Sequence, residues 1–446
     1  MKAAGESKYF YSQEKRTSMT LSDRIRSWRS QTWWLMTSAF LCYTGMYAVR
    51  KSFLAGQYLE TDIMGLHFKT VLVISQVLGY MLSKFIGIKV IAELTPGARS
   101  RMLLGLVTLG LLMLLAFAFV PPSWKPVALF FNGLPLGMVF GVVLSYLEGR
   151  RKTELLVAAL SATFIFSTGL VKSIGVWLLQ DFQVSEFFMP FTTGALFFPL
   201  FLLAVWMLRV SIGPDPRDVA MRTRREPMNR AQRHAFLRQY GLGFAGLVVL
   251  YIFLTILRDF RDNFIVEFWA ELGYAEEPAL ITLTEIPVAI VVLVISALGI
   301  LITDNGRAFR TGMILTGIGG LGVLIATFFF SQQAMSPVWW MILTGISIYL
   351  PYILYHCLIF ERLMAFLQFS GTIGFLFYVA DAFGYAGSVG VMLLKELGNF
   401  QSTWVQFFIG LNAYAGVGIM LLAILSLLAV RYERKRSQRM QQAPSL

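Results

Sequence analysis

The sequence predicts an all-α membrane protein of about twelve spanning helices arranged as two related bundles of six. Three observations predict it. The 446 residues are 57% hydrophobic and 14% charged, too apolar for a soluble domain. Apolar runs long enough to cross a bilayer recur along the chain. Landmarks of the first half return in the second at an offset of roughly 208 to 215 residues.

The runs fall near 33–55, 68–92, 101–120, 126–147, 154–180 and 187–209, then near 238–262, 279–302, 310–331, 337–361, 369–396 and 404–430. The expected organisation is a tail over 1–32, a bundle over 33–210, a basic linker over 211–237, a second bundle over 238–430 and a tail over 431–446. SIGVWLL (173–179) matches SVGVMLL (388–394), EGR (148–150) parallels ER (361–362), and the stretch from Glu93 to Arg101 parallels TDNGRAFR (303–310). Parallel repeats of six helices mark the major facilitator architecture, with a solute held between the halves.

Even parity puts both termini on one side. Loops on that side carry Lys89, Arg99, Arg101, Arg150, Arg151, Lys152, Arg307 and Arg310, while the loop after span 7 carries Glu267, Glu271, Glu276 and Glu277. Short loops rich in Lys and Arg stay inside, so both termini are expected in the cytoplasm of a bacterial inner membrane. The net charge of +13 has its source in these loops and implies no nucleic acid. Cys42 and Cys357 fall in apolar segments of different halves, which suits packing rather than a disulfide or metal. No soluble catalytic domain fits in the loops, and only three histidines occur (His67, His234, His356). An enzyme, a metal and a cofactor are therefore not expected; the expected partners are the lipid bilayer and a small solute, with the protein a monomer.

Two arginines stand out. YTGMYAVR (43–50) and YIFLTILR (251–258) each place Arg seven residues after Tyr at the end of an apolar run. Seven residues are about two turns, so Tyr43 and Arg50 share a helix face, as do Tyr251 and Arg258. An intramembrane arginine is costly and marks function. Two guanidinium forks at matching places in two halves suit one central anion site. The competing reading pairs Arg258 with Asp262, four residues on; Arg50 has no acid within four residues. Lys84 lines the path or snorkels. Lys172 lines the cavity or pairs with an acid such as Asp381, and Lys51 faces another helix or the outer interface. Asp381, His356 and Glu285 are candidates for proton coupling or for helix contacts. Tyr349, Tyr352 and His356 share one face of span 10.

DNGRAFR (304–310) resembles the superfamily's loop between spans 8 and 9, in which an acid caps a helix, glycine permits the turn and arginines face the cytosol. Asp304, Arg307 and Arg310, with Glu93 in the first half, are read as a latch that breaks as the halves rock. YAVRKSF (47–53), LSKFIG (82–87), NG and GM (132–133 and 137–138) and ILRDF (256–260) resemble the organophosphate:phosphate antiporters, the family of glycerol-3-phosphate and hexose-phosphate transporters. The resemblance runs from span 1 to at least span 9. It implies that Arg50 and Arg258 bind phosphate and that Lys84 lies near the substrate path. It departs at span 5, where the family's histidine position falls near Phe164 or Ile165, and at span 4, where Leu136 replaces a glutamine. Three functions follow: a secondary transporter of an anionic, phosphorylated metabolite with exchange for inorganic phosphate as one mode, a proton-coupled permease of another organic anion, or a transporter-like sensor.

Overall fold

A computed structural model describes residues 32–442 other than 60–61, 64, 93, 148–152, 213–229, 370–372, 399 and 401. The bilayer interior offers no water to backbone groups, so each apolar run satisfies its own N–H and C=O as a helix. In the first bundle these are α1 (Thr32–Lys51), α2 (Phe68–Ala92), α3 (Arg99–Phe119), α4 (Lys125–Leu136) with α5 (Val139–Leu147), α6 (Thr153–Gln180) and α7 (Met189–Arg209). In the second they are α8 (Arg230–Asn263), the short α9 (Ile265–Glu271), α10 (Ala279–Ile300), α11 (Asn305–Ser331), α12 (Pro337–Leu354) with a π turn (Tyr355–Ile359) and α13 (Phe360–Leu367), α14 (Ile373–Leu397) and α15 (Trp404–Gln442). Eleven helical stretches among the described residues are long and apolar enough to cross a membrane. α1, 20 residues long, occupies the first predicted span and is not among these eleven.

Departures from regular helix have local causes. Pro135 lies in the last turn of α4, and span 4 breaks there before resuming as α5; proline removes a backbone donor and clashes with the preceding turn. Pro351 lies near the end of α12, just ahead of the π turn. The stretch read as linker is already helical from Arg230, but Tyr240 is non-helical (φ −130°, ψ 21°), so span 7 proper starts beyond it. Likewise α15 runs to Gln442, into the stretch read as tail. Between α1 and α2 a 3-10 turn (Ser52–Ala55) is followed by β1 (Asp62–Ile63) paired antiparallel with β2 (Leu66–His67). Gly65 adopts φ 73° in that turn, which glycine does without steric cost.

The two bundles are built alike. In the first, α1 packs on α6 and α7, and α2 on α4; in the second, α8 packs on α14 and α15, and α10 on α12. Small residues bring helices close in a membrane: a Cβ at Gly79 would meet Phe130 O, and one at Gly133 would meet Gln76 O, which seats α4 against α2. The bundles meet where α2 faces α14 and where α6 faces α10 and the π turn.

Candidate functional site

The end of α1 explains how Arg50 is placed. A helix leaves its last carbonyls without partners. Asn132 Nδ2 donates to Val49 O (3.1 Å) and Gly110 O (2.8 Å), and Gln76 Nε2 donates to Arg50 O (2.6 Å) and Asn132 Oδ1 (2.7 Å). This buried amide pair ties α1, α2, α3 and α4 together at the residue that carries the guanidinium. The Arg50 side chain is 3% exposed and lies over the Tyr80 ring, 3.5 Å from its centroid. Its Nε has no partner, and no carboxylate among the described residues pairs with it. Tyr80, Tyr385, Tyr47 and Tyr43 surround it.

Arg258, at the matching place in α8, is 4% exposed. It contacts Asp259 Oδ1 (2.9 Å), donates to Tyr352 Oη (3.1 Å) and lies over the Tyr352 ring at 4.5 Å. Tyr47 of the first bundle and Tyr385 of the second stand near both arginines. The two guanidinium groups therefore flank one group of tyrosines where the bundles meet, a buried region called the chamber below.

One end of that chamber is closed by polar contacts from bundle to bundle. Asp262 Oδ2 takes Lys51 at 2.9 Å and Oδ1 takes Lys172 at 2.5 Å, while Lys51 also donates to Asn263 Oδ1 (2.9 Å). Lys69 Nζ donates to Leu54 O (2.8 Å) and pairs with Glu267. Burial pushes the Glu267 carboxyl up from its usual range, and Lys69 opposes that rise. Glu396 accepts from Thr70 (2.7 Å), and Ser173 meets Thr282 (2.6 Å). A cavity of about 360 Å³ lies at this end, lined by Gln57, Gln180, Glu186, Trp269 and Tyr274 among others; its lining includes neither arginine.

Towards the other end, where the linker joins the bundles, the chamber is lined by rings. Phe140, His356 and Phe377 are half-buried. The His356 ring stacks on Phe377 at 5.2 Å and meets Phe164 across the interface at 5.8 Å. Lys84 Nζ is 5.2 Å from the Tyr80 centroid, 5.5 Å from Phe140 and 3.6 Å from Asp381 Oδ2. Tyr251 donates to Asp381 Oδ1 (2.6 Å), and its Oη lies 3.1 Å from His356 Nε2.

The family model matches residues 52–435. The chain belongs to the DUF5690 family, a family of unknown function. Arg50 and Lys51 immediately precede the matched stretch; the other charged residues described above lie within it. No curated protein matches this DUF5690 chain by sequence. In fold it is similar to a D-xylose–proton symporter (14% identity, TM-score 0.55, 90% of this chain and 97% of that one), to the nucleoside transporter NupG (11%, 0.58, 89% and 99%) and to a bacterial homologue of the human lysosomal transporter Spinster in an inward-facing, unoccupied conformation (12%, 0.56, 90% and 97%). The chain thus has the major facilitator fold.

The structure brings Arg50, Arg258, Lys84, Asp381 and His356 to one chamber, with Tyr43 and Tyr251 packed beside it. Several sequence expectations are corrected. Asp262 is not the partner of Arg258: Asp259 is, because Asp262 is drawn to two lysines of the other bundle. Lys172 reaches Asp262 rather than Asp381, which Lys84 holds instead. Glu285 pairs with Arg261 of its own bundle (2.6 Å) rather than joining the Asp381 contacts, and its side chain packs against Gly169 of α6 at the seam with the first bundle. Of the latch, Glu93 is outside the described residues. Asp304 caps α11 by accepting from Arg307 N (2.6 Å), and Arg310 Nε donates to Gly306 O (3.1 Å), so these contacts stay within one helix start. Gly306 serves close packing rather than a turn, since a Cβ there would stand 2.7 Å from Phe366. Gln76, Lys69, Arg261, Asn132 as a cap and the cross-bundle role of Lys51 were missed; NG (132–133) was the available signal for Asn132. Among the described residues no group of three or more His, Cys, Asp or Glu is placed to hold a metal.

Proposed function

We propose that this chain is a secondary transporter, not an enzyme, that carries a small organic anion between the two bundles by alternating access. One observation carries the reading: an arginine from each bundle faces the same chamber, and the positive charge there exceeds the acids that meet it. Among the described residues no carboxylate meets Arg50, and Lys51 and Lys172 share Asp262. Two positive charges are left over in a place where water is scarce. Uncompensated buried charge is costly, and a doubly charged anion such as a phosphate ester neutralises it with bidentate geometry.

The same balance supports exchange. A loaded chamber is near neutral and can reorient; an empty one carries its excess charge through the transition. Inorganic phosphate suits the counter-substrate, in line with the resemblance to organophosphate antiporters. The basic linker end is assigned to the cytoplasm by loop charge, so the Asp262 end faces outwards in a bacterial inner membrane and the monomer is the working unit.

A second reading is proton-coupled uptake of the anion, and the contact of Asp381 with Tyr251 beside His356 favours it. Counterflow in proteoliposomes separates the two. Labelled phosphate outside should exchange for unlabelled phosphate or phosphate esters inside, with no requirement for a pH gradient. Uptake driven only by a proton gradient would replace the first reading by the second, and saturable binding without flux would point to a sensor.

A further inference from the structure

Lys84 and Asp381 form the loosest inter-bundle ion pair at the chamber. At 3.6 Å it is longer than the 2.9 and 2.5 Å contacts that Asp262 makes with Lys51 and Lys172. It is also wetter: the side chains of Lys84 and Asp381 are 17% and 12% exposed, against 3% or less for the Asp262 group. Its setting is a matched pair of helix faces. Tyr80 and Lys84, four residues apart on α2, oppose Asp381 and Tyr385, four apart on α14, and the two tyrosine rings meet at 5.6 Å. Tyr80 carries Arg50 on its face as well. Lys84, partly exposed, thus sits with Tyr80 beside Arg50, which meets no acid among the described residues, and the acid Lys84 touches comes from the other bundle. Tyr251 holds the second Asp381 oxygen at 2.6 Å, so Asp381 keeps a partner when Lys84 leaves.

Resting on the anion-transport reading above, we infer that Asp381 is a resident counter-ion: it occupies Lys84 in the empty chamber, the transported anion displaces it, and its return to Lys84 expels the anion. An acid in an anion site then sets the release rate at the expense of affinity. The sign of this effect is unusual. Removing a merely structural ion-pair partner weakens binding, whereas removing a competitor strengthens it.

The test is phosphate exchange by the full chain in proteoliposomes, with inorganic phosphate as the probe. Asp381→Asn should lower the half-saturating phosphate concentration about tenfold, as expected for one charged hydrogen bond freed for the ligand, and lower the maximal rate with it. Asp381→Glu keeps the competing charge and should lower half-saturation far less than Asp381→Asn does. An Asn variant whose half-saturation is unchanged or higher overturns the inference, while exchange by the unmodified protein leaves the transport reading standing. Absence of exchange in the unmodified protein counts against the transport reading itself. Should the Asn variant fail to accumulate, carbodiimide labelling of Asp381 in the unmodified protein decides: phosphate should increase it, and unchanged or reduced labelling overturns the proposal.

Discussion

The two bundles share a design and differ in the charge they bury. Among the described residues, all five buried charged side chains of the first bundle are basic: Arg50, Lys51, Lys69, Lys125 and Lys172. Of nine in the second bundle, six are acidic. Repetition has kept the helix packing and the Tyr-to-Arg spacing, and has let the facing surfaces become electrostatic complements. The difference teaches how the two bundles are held together and what the proposed transport cycle would have to break. Lysines of the first bundle find their acids on the second, as Lys51 and Lys172 do on Asp262, Lys69 on Glu267 and Lys84 on Asp381. Arginines of the second bundle find acids on their own: Arg258 on Asp259 and Arg261 on Glu285. In the proposed transport cycle, pairs between bundles must part as the bundles rock; pairs within a bundle need not. On the same proposal an incoming anion would compete with the second bundle's carboxylates for the first bundle's bases.

The largest effect should come from Asp262, because two lysines depend on it. Asp262→Asn leaves both buried without a counter-charge, and breaking a buried pair from one side costs about 3–5 kcal/mol. The expected result is a clear loss of thermal stability in detergent and increased reactivity of a cysteine placed at Gln57, on the end Asp262 closes. Asp259→Asn strips one partner from Arg258 within its own bundle and should leave that cysteine protected. Equal protection in both variants would break the distinction between gate pairs and internal pairs.

Next come the arginines. Arg50→Lys and Arg258→Lys keep the charge and lose the planar fork. Each charged hydrogen bond is worth roughly 1.5–3 kcal/mol, so phosphate exchange should lose at least tenfold in apparent affinity in either variant. Arg50 should be the more sensitive, because it meets no carboxylate among the described residues and its Nε has no partner. Membrane levels near those of the unmodified protein would show that folding is intact. Normal exchange by both lysine variants would remove the anion chamber as the basis of function.

Much of the fold was legible in the sequence because its signals are local. Apolar runs mark spans, basic loops suggest sidedness, and a seven-residue spacing puts Tyr43 with Arg50 and Tyr251 with Arg258. The partners of the buried charges were not legible. Lys172 and Asp262 are 90 positions apart and Lys51 and Asn263 are 212 apart, so no helical period links them. The local rule that offered Asp262 to Arg258 failed because two cations from the other bundle outcompeted it. Lys51 resisted for another reason. Its direction depends on α1 ending there, and that ending depends on Asn132 and Gln76, which cap it from α4 and α2.

The smallest effect is expected from the pair whose two members both belong to the second bundle, and it bears most directly on what buried charge is for. Arg261 is fully buried, with Glu285 at 2.6 Å and Met341 O at 3.0 Å, while its Nε and Nη1 have no partner. The Arg261–Glu285 bond itself need not part as the bundles rock, although Glu285 packs against Gly169 of α6, so its charge should be replaceable as a unit. Swapping a whole buried ion pair for apolar residues is often neutral or stabilising, whereas removing one member costs about 3–5 kcal/mol. Glu285→Leu alone should therefore depress thermal stability strongly. Combined with Arg261→Met it should recover most of that loss and exchange phosphate within a few-fold of the unmodified protein, with an unaltered pH profile. The same double replacement at a gate, Lys51→Met with Asp262→Leu, should not recover transport, because that pair has to open and reform. If the Arg261–Glu285 double variant were folded but inactive, or if its pH profile shifted, Glu285 would return as a proton carrier, and the division between working pairs across the interface and static pairs within a bundle would fail.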